Sequence, residues 1–127
     1  MLIAAQSPLL SEQIADTAMN RVWTDSPNGK GIPPRWNYDQ GVVLSGMRTL
    51  WYATADKQYY DFIKNGVDAF VDPDGTIKTY SRDQFSLDLV RMGTAVLTMY
   101  RATGDVKYKK AADLIRSQLK DQPRTSE

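Results

Sequence analysis

The strongest constraint on this chain is an internal repeat with an offset of 49 residues. Ala53-Thr54-Ala55-Asp56-Lys57-Gln58-Tyr59 aligns with Ala102-Thr103-Gly104-Asp105-Val106-Lys107-Tyr108, and the same offset pairs Asp39 with Asp88, Leu50 with Met99 and Trp51 with Tyr100. One register held over so long a stretch describes a supersecondary unit used twice. The unit reads as helix, short Thr-x-Asp turn, helix, then a longer return loop. Tetratricopeptide and ankyrin arrays repeat at about 33–34 residues and are excluded by the period.

Helical periodicity fills the unit. Ser11 to Trp23 is predicted as a leading helix, with Ile14, Ala18 and Val22 at helical spacing and Pro8 just ahead of it. Thr24 to Pro34 is rich in turn formers and ends it in a long loop, a kind of segment that is often functional. A second helix starts at Asn37, a residue suited to capping free N–H groups, with Gln40 placed as in a capping box. It runs to about Thr54, and a third spans Lys57 to Val71. Asp72-Pro73-Asp74-Gly75 makes a tight turn, and Thr76 to Tyr80 is predicted as extended. A fourth helix covers Ser86 to Thr103 and a fifth Val106 to Gln122, stopped by Pro123.

The paired helices differ in character. Between Leu87 and Tyr100 only Asp88 and Arg91 are charged, so that helix is expected to be buried nearly all round. Val106 to Gln122 is amphipathic, with Tyr108, Ala111, Ala112, Ile115 and Leu119 opposite Lys and Arg. Alternating buried and half-exposed helices form two concentric layers, which points to an all-α toroid. The expected organisation is a single domain over 1–127, a leading helix followed by hairpins at 36–71 and 85–122. Six hairpins at this period need about 300 residues, and repeat units bury their faces only against neighbours. The chain holds two.

Composition removes several chemistries. Neither Cys nor His occurs, which excludes disulfides, thiolate nucleophiles, a Ser–His–Asp triad and most transition-metal sites. Acid–base work therefore falls to Asp, Glu, Tyr or Lys. The 16 basic and 15 acidic residues are interspersed, so neither a nucleic-acid groove nor an anionic membrane is indicated as partner. No apolar run is long enough for a membrane span. Met1 to Ser7 lacks the basic start and most of the apolar core of a signal peptide, which leaves a frayed terminus and a cytoplasmic location as the default expectation.

Asp88 is the first candidate for chemistry. It lies at the start of a predicted inner helix, where a toroid opens onto its central cavity, and a carboxylate there can exchange a proton. An Asp in a first helical turn also simply complements the helix dipole, and for the residue alone that is the plainer reading. Asp39 holds the equivalent place in the first unit. Trp36 and Tyr38 flank Asn37 at the mouth of the first inner helix. Exposed aromatics there would stack on sugar rings, while buried ones would fix the loop to the helix. Lys30 and Arg35 could meet a carboxylate ligand but read better as solvated loop charges. Asp72 to Thr76 lacks the further acidic positions of a calcium loop and reads as a plain turn.

Trp36-x-Tyr38-x-x-Gly41, the two Ala-Thr-x-Asp-x-x-Tyr turns, Asp74-Gly75-Thr76-Ile77 and Ser86-Leu87-Asp88 occur here in the order seen in unsaturated glucuronyl and rhamnogalacturonyl hydrolases. These are glycoside hydrolase families 88 and 105. The ending Gln118 to Thr125 is similar to the family 105 segment that leads into a Gly-rich, Trp-His loop, so the chain most resembles the N-terminal part of an unsaturated rhamnogalacturonyl hydrolase.

The resemblance implies an (α/α)6 barrel acting on pectin-derived oligosaccharides that end in 4,5-unsaturated galacturonate on rhamnose. The implied reaction hydrates the enol-ether double bond: an Asp protonates C4, water adds at C5, and the hemiketal collapses to release the sugar. No metal or cofactor is implied. Asp88 corresponds to one of two active-site aspartates, Tyr38 to a substrate-contacting aromatic at the cavity mouth, and Trp36 to a weaker substrate contact. The second aspartate, in a Trp-x-Asp context, falls beyond Glu127. The chain alone is therefore expected to be inactive, and to self-associate if it stands without its neighbours. Other readings of the same helices are an N-acylglucosamine epimerase-like sugar enzyme, which would rely on His, and a non-catalytic helical interaction module.

Overall fold

The two Thr-x-Asp turns close two helical hairpins with the same atoms. Thr54 donates its hydroxyl to the Leu50 carbonyl (2.7 Å) and accepts the Asp56 N–H (3.1 Å), while Thr103 does the same with Met99 (2.7 Å) and Asp105 (3.1 Å). Asp56 Oδ1 then caps the next helix at the Gln58 N–H and Asp105 Oδ1 at the Lys107 N–H, both at 3.0 Å. The left-handed residue that reverses the chain is Ala55 (φ 56°) in the first turn and Gly104 (φ 70°) in the second. The sequence repeat is thus a hydrogen-bond repeat.

This computed structural model describes residues 9–126. Its helices are α1 (Leu10–Asn20), α2 (Tyr38–Thr54), α3 (Lys57–Asp68), α4 (Gly93–Thr103) and α5 (Val106–Asp121), with 3₁₀ turns at Arg82–Gln84 and Leu87–Val90. The predicted leading helix is shorter than expected, ending at Asn20, and α3 stops at Asp68. No described helix is long and apolar enough to cross a membrane. The Met1–Ser7 stretch and Pro8 lie outside the described residues.

α2 and α4 are the central pair. α2 packs on α1, α3 and α4, and α4 packs on α2, α3 and α5. Leu44 and Met47 of α2, Ile63 and Val67 of α3, Met92, Val96 and Met99 at and in α4, and Tyr108, Ala111 and Ile115 of α5 form the core between them. Burying each of the larger side chains contributes about 1.5–3 kcal/mol. A polar cluster ties α3 to α5. Tyr108 donates to Asp68 Oδ1 (2.5 Å), Lys64 bonds Asp68 Oδ2 (2.5 Å), and Lys107 lies 3.0 Å from Asp68 Oδ1 and over the Tyr108 ring.

Three expectations need correction. Thr76 to Tyr80 is not a strand: only Ile77 pairs, in an isolated antiparallel bridge with Val71, and Thr79 turns left-handed (φ 62°). The fourth helix is not buried all round, because Leu87 (61%) and Leu97 (44%) are exposed, as Val42 is on α2. On α5 the buried stripe runs Tyr108, Ala111, Ile115 and Gln118, whereas Leu119 is 43% exposed. Apolar grooves consequently remain open at both flanks, one between α1 and α2 lined by Ile14, Ala18, Val42 and Leu50, the other between α4 and α5 lined by Val90, Leu97 and Leu119.

Candidate active site

The start of α2 is built from its cap. Asn37 accepts the Gln40 N–H at 2.8 Å and so ends the extended Trp36–Asn37 segment. The reciprocal half of the expected capping box is missing, since the Gln40 amide is fully buried and finds no hydrogen-bond partner among the described residues. Tyr38 and Asp39 project from the first turn, Tyr38 at 48% exposure.

Trp36 points the other way and is 2% exposed. Its ring meets Phe70 edge-on (centroids 5.9 Å) and Tyr80 at a tilt (6.2 Å). Its backbone N–H donates to Thr79 Oγ1 (2.8 Å), and its indole N–H donates to the Leu89 carbonyl (2.6 Å). Of the two readings open for Trp36, the core contact is realised. A ring face buried on both sides is not a platform for a sugar.

The Trp36–Leu89 bond also shapes the second candidate. In a continuous α-helix the Leu89 carbonyl would accept the N–H of residue 93, four further on. Trp36 takes that acceptor instead, and the predicted first turn of the fourth helix becomes the 3₁₀ turn Leu87–Val90, with α4 proper starting at Gly93. Gly41 lets α2 approach this break. A Cβ at Gly41 would lie 2.7 Å from Arg91 Cγ and 3.0 Å from the Arg91 carbonyl carbon and the Met92 nitrogen. Asp88 stands on the 3₁₀ turn as an exposed carboxylate with no hydrogen bond or ion pair among the described residues.

Two aspartates equivalent in the repeat therefore sit in different places. Asp39 follows a capped α-helical start. Asp88 sits in a 3₁₀ turn held at both ends, by Trp36 at Leu89 and by the end of α5 at Phe85 and Ser86. There Gln118 Nε2 donates to the Ser86 carbonyl (3.0 Å), Gln122 Nε2 to the Phe85 carbonyl (2.8 Å), and Tyr80 donates to Gln118 Oε1 (2.6 Å). Burial pushes the Tyr80 hydroxyl above its ordinary pKa against the opposing charge of Arg82, which keeps it a neutral donor. Arg82 anchors the same loop to Ser117 and Asp121.

Reading the sequence alone passes over Gln118 and Gln122. The available signal was their spacing, since Tyr108, Ala111, Ile115, Gln118 and Gln122 follow one helical stripe and put an amide at a core position. Lys30 and Arg35 are exposed and make no ion pair among the described residues. The Asp72–Thr76 turn spends its carboxylates on Thr76, whose N–H and hydroxyl both bond Asp74 Oδ1 (3.0 and 2.7 Å). No group of three or more acidic side chains among the described residues is arranged to hold a metal ion.

Comparison with known proteins gives a family and a fold. Residues 10–127 match the family described as Glycosyl Hydrolase Family 88. A solved structure of a glycoside hydrolase from family 105 of C. acetobutylicum ATCC 824 aligns with a TM-score of 0.80 and 32% sequence identity. The match covers 93% of this chain and 31% of that one, so the chain spans about a third of the length of that relative.

Proposed function

The chain belongs to glycosyl hydrolase family 88, its all-α fold being part of an (α/α)6 toroid, and on that premise we propose that it supplies the first two hairpins of an enzyme that cleaves pectin-derived oligosaccharides. The substrate is a rhamnogalacturonan fragment whose non-reducing end is 4,5-unsaturated galacturonate linked to rhamnose. The observation that carries this reading is the extent of the match, residues 10–127, which takes in both Tyr38 and Asp88.

In this reading Asp88 is one of two carboxylates at the reacting double bond. One of the pair gives a proton to C4, water adds at C5, and the hemiketal formed there collapses with release of the sugar. An exposed carboxylate without a partner is free to take part in such an exchange. Tyr38, half exposed at the start of α2, is the aromatic contact for the sugar. Trp36 acts beneath the site, through Leu89. The second carboxylate lies outside this chain, so activity belongs to the completed ring.

Turnover is read as loss of the enol-ether ultraviolet absorbance of unsaturated galacturonyl-rhamnose. The complete enzyme should bleach it, and Asp88→Asn should slow it by about 100-fold or more. An unimpaired Asp88→Asn enzyme would remove Asp88 from the chemistry. Bleaching by the 127-residue chain alone would show that no further hairpins are required.

A further inference from the structure

The second unit of the repeat departs from the first at the entry to its inner helix, where α5 as well as Trp36 holds the chain. At the offset of 49, Gln118 corresponds to Ala69, Gln122 to Pro73 and Ser86 to Asn37. In the first unit Asn37 caps a regular helix. In the second, Ser86 makes no side-chain cap, Phe85 adopts φ 51°, and the chain enters the 3₁₀ turn that bears Asp88. A left-handed phenylalanine is a strained conformation that persists only where its surroundings fix it.

The fixing groups are two glutamines one helical turn apart. Gln118 and Gln122 each donate a side-chain N–H to one of two consecutive loop carbonyls, Ser86 at 3.0 Å and Phe85 at 2.8 Å. Gln118 is fully buried and its other end is held by Tyr80 at 2.6 Å, so its amide has one orientation. We infer that Gln118 and Gln122 are positioning residues for Asp88, setting the start of the turn on which the carboxylate stands as Trp36 sets its end. The inference rests on the reading of Asp88 as an active-site carboxylate.

The test uses the complete enzyme and separates positioning from stability. Gln118→Met with Gln122→Met keeps side-chain length and releases both carbonyls. Tyr108→Phe also breaks a hydrogen bond of α5, the one to Asp68, but leaves Tyr80 and both glutamine–carbonyl bonds in place. The double variant should lose about tenfold to a hundredfold in kcat with KM within about twofold, while Tyr108→Phe keeps kcat despite a lowered Tm. Wild-type kcat in the double variant, or an equal loss in Tyr108→Phe, overturns the positioning role. Asp88→Asn run alongside tells the two failures apart. If it stays active, the reading of Asp88 itself falls; if it is inactive while the double variant is fully active, only the role of the glutamines falls.

Discussion

Gln40 enters α2 with its amide wholly buried, Nε2 and Oε1 both unpaired among the described residues, beside Gly66 and Leu44. A buried amide without partners costs about 1–3 kcal/mol relative to a satisfied one. Gln40→Met, close in volume and free of that penalty, should therefore raise stability by about 1 kcal/mol in chemical denaturation; a loss would show that the amide is bonded elsewhere. At this scale the sequence is only partly legible. Residue type and order bring out Asp88, Tyr38 and Trp36, but not which way each points. Trp36 and Tyr38 are two positions apart, yet one is 2% and the other 48% exposed. The difference is set by Phe70, Tyr80, Thr79 and Leu89, which are 34 to 53 residues away in the chain and leave no local signal.

The elements are more legible, because local chemistry decides most of them. Thr54, Asp56, Thr103 and Asp105 form the turns that their order suggests, and both hairpins close where expected. The two turns differ at one residue, and this has a measurable result. Ala55 holds φ 56° where Gly104 holds φ 70°. Ala55→Gly should stabilise the first hairpin by about 0.5–1 kcal/mol, and Gly104→Ala, which meets no atom within 4 Å, should destabilise the second by about 1 kcal/mol through backbone strain alone. Opposite shifts in Tm test the pair; shifts of one sign would mean that packing decides. Where local chemistry was overruled, as at the start of α4, the agent was a distant donor, the Trp36 indole, taking the Leu89 carbonyl.

Across the molecule, the hairpins are joined at their outer helices by the Tyr108–Asp68–Lys64 cluster. Burial first, and then the bond to Asp68, push the Tyr108 hydroxyl up to about 12, from an ordinary 10.0. The unfolded chain therefore gives up this proton at lower pH than the folded one, so stability is full below pH 10 and falls as the pH rises to about 12. Burial works to raise the Asp68 pKa, but bonds from Lys64, Tyr108 and Lys107 outweigh it and hold the carboxyl below its ordinary 3.8, so its contribution is lost as the pH falls below that value. Tyr108→Phe should flatten the alkaline limb of Tm against pH; an unchanged limb would place the titration in another group. The same map of distances orders events in time. The bonds that close each hairpin turn span two to four residues, while those that hold the turn bearing Asp88 span 32, 37 and 53. During synthesis the groups that close the first hairpin turn emerge together, whereas Gln122 emerges well after Asp88, so the turn that bears the carboxylate lacks one of its holding bonds until then.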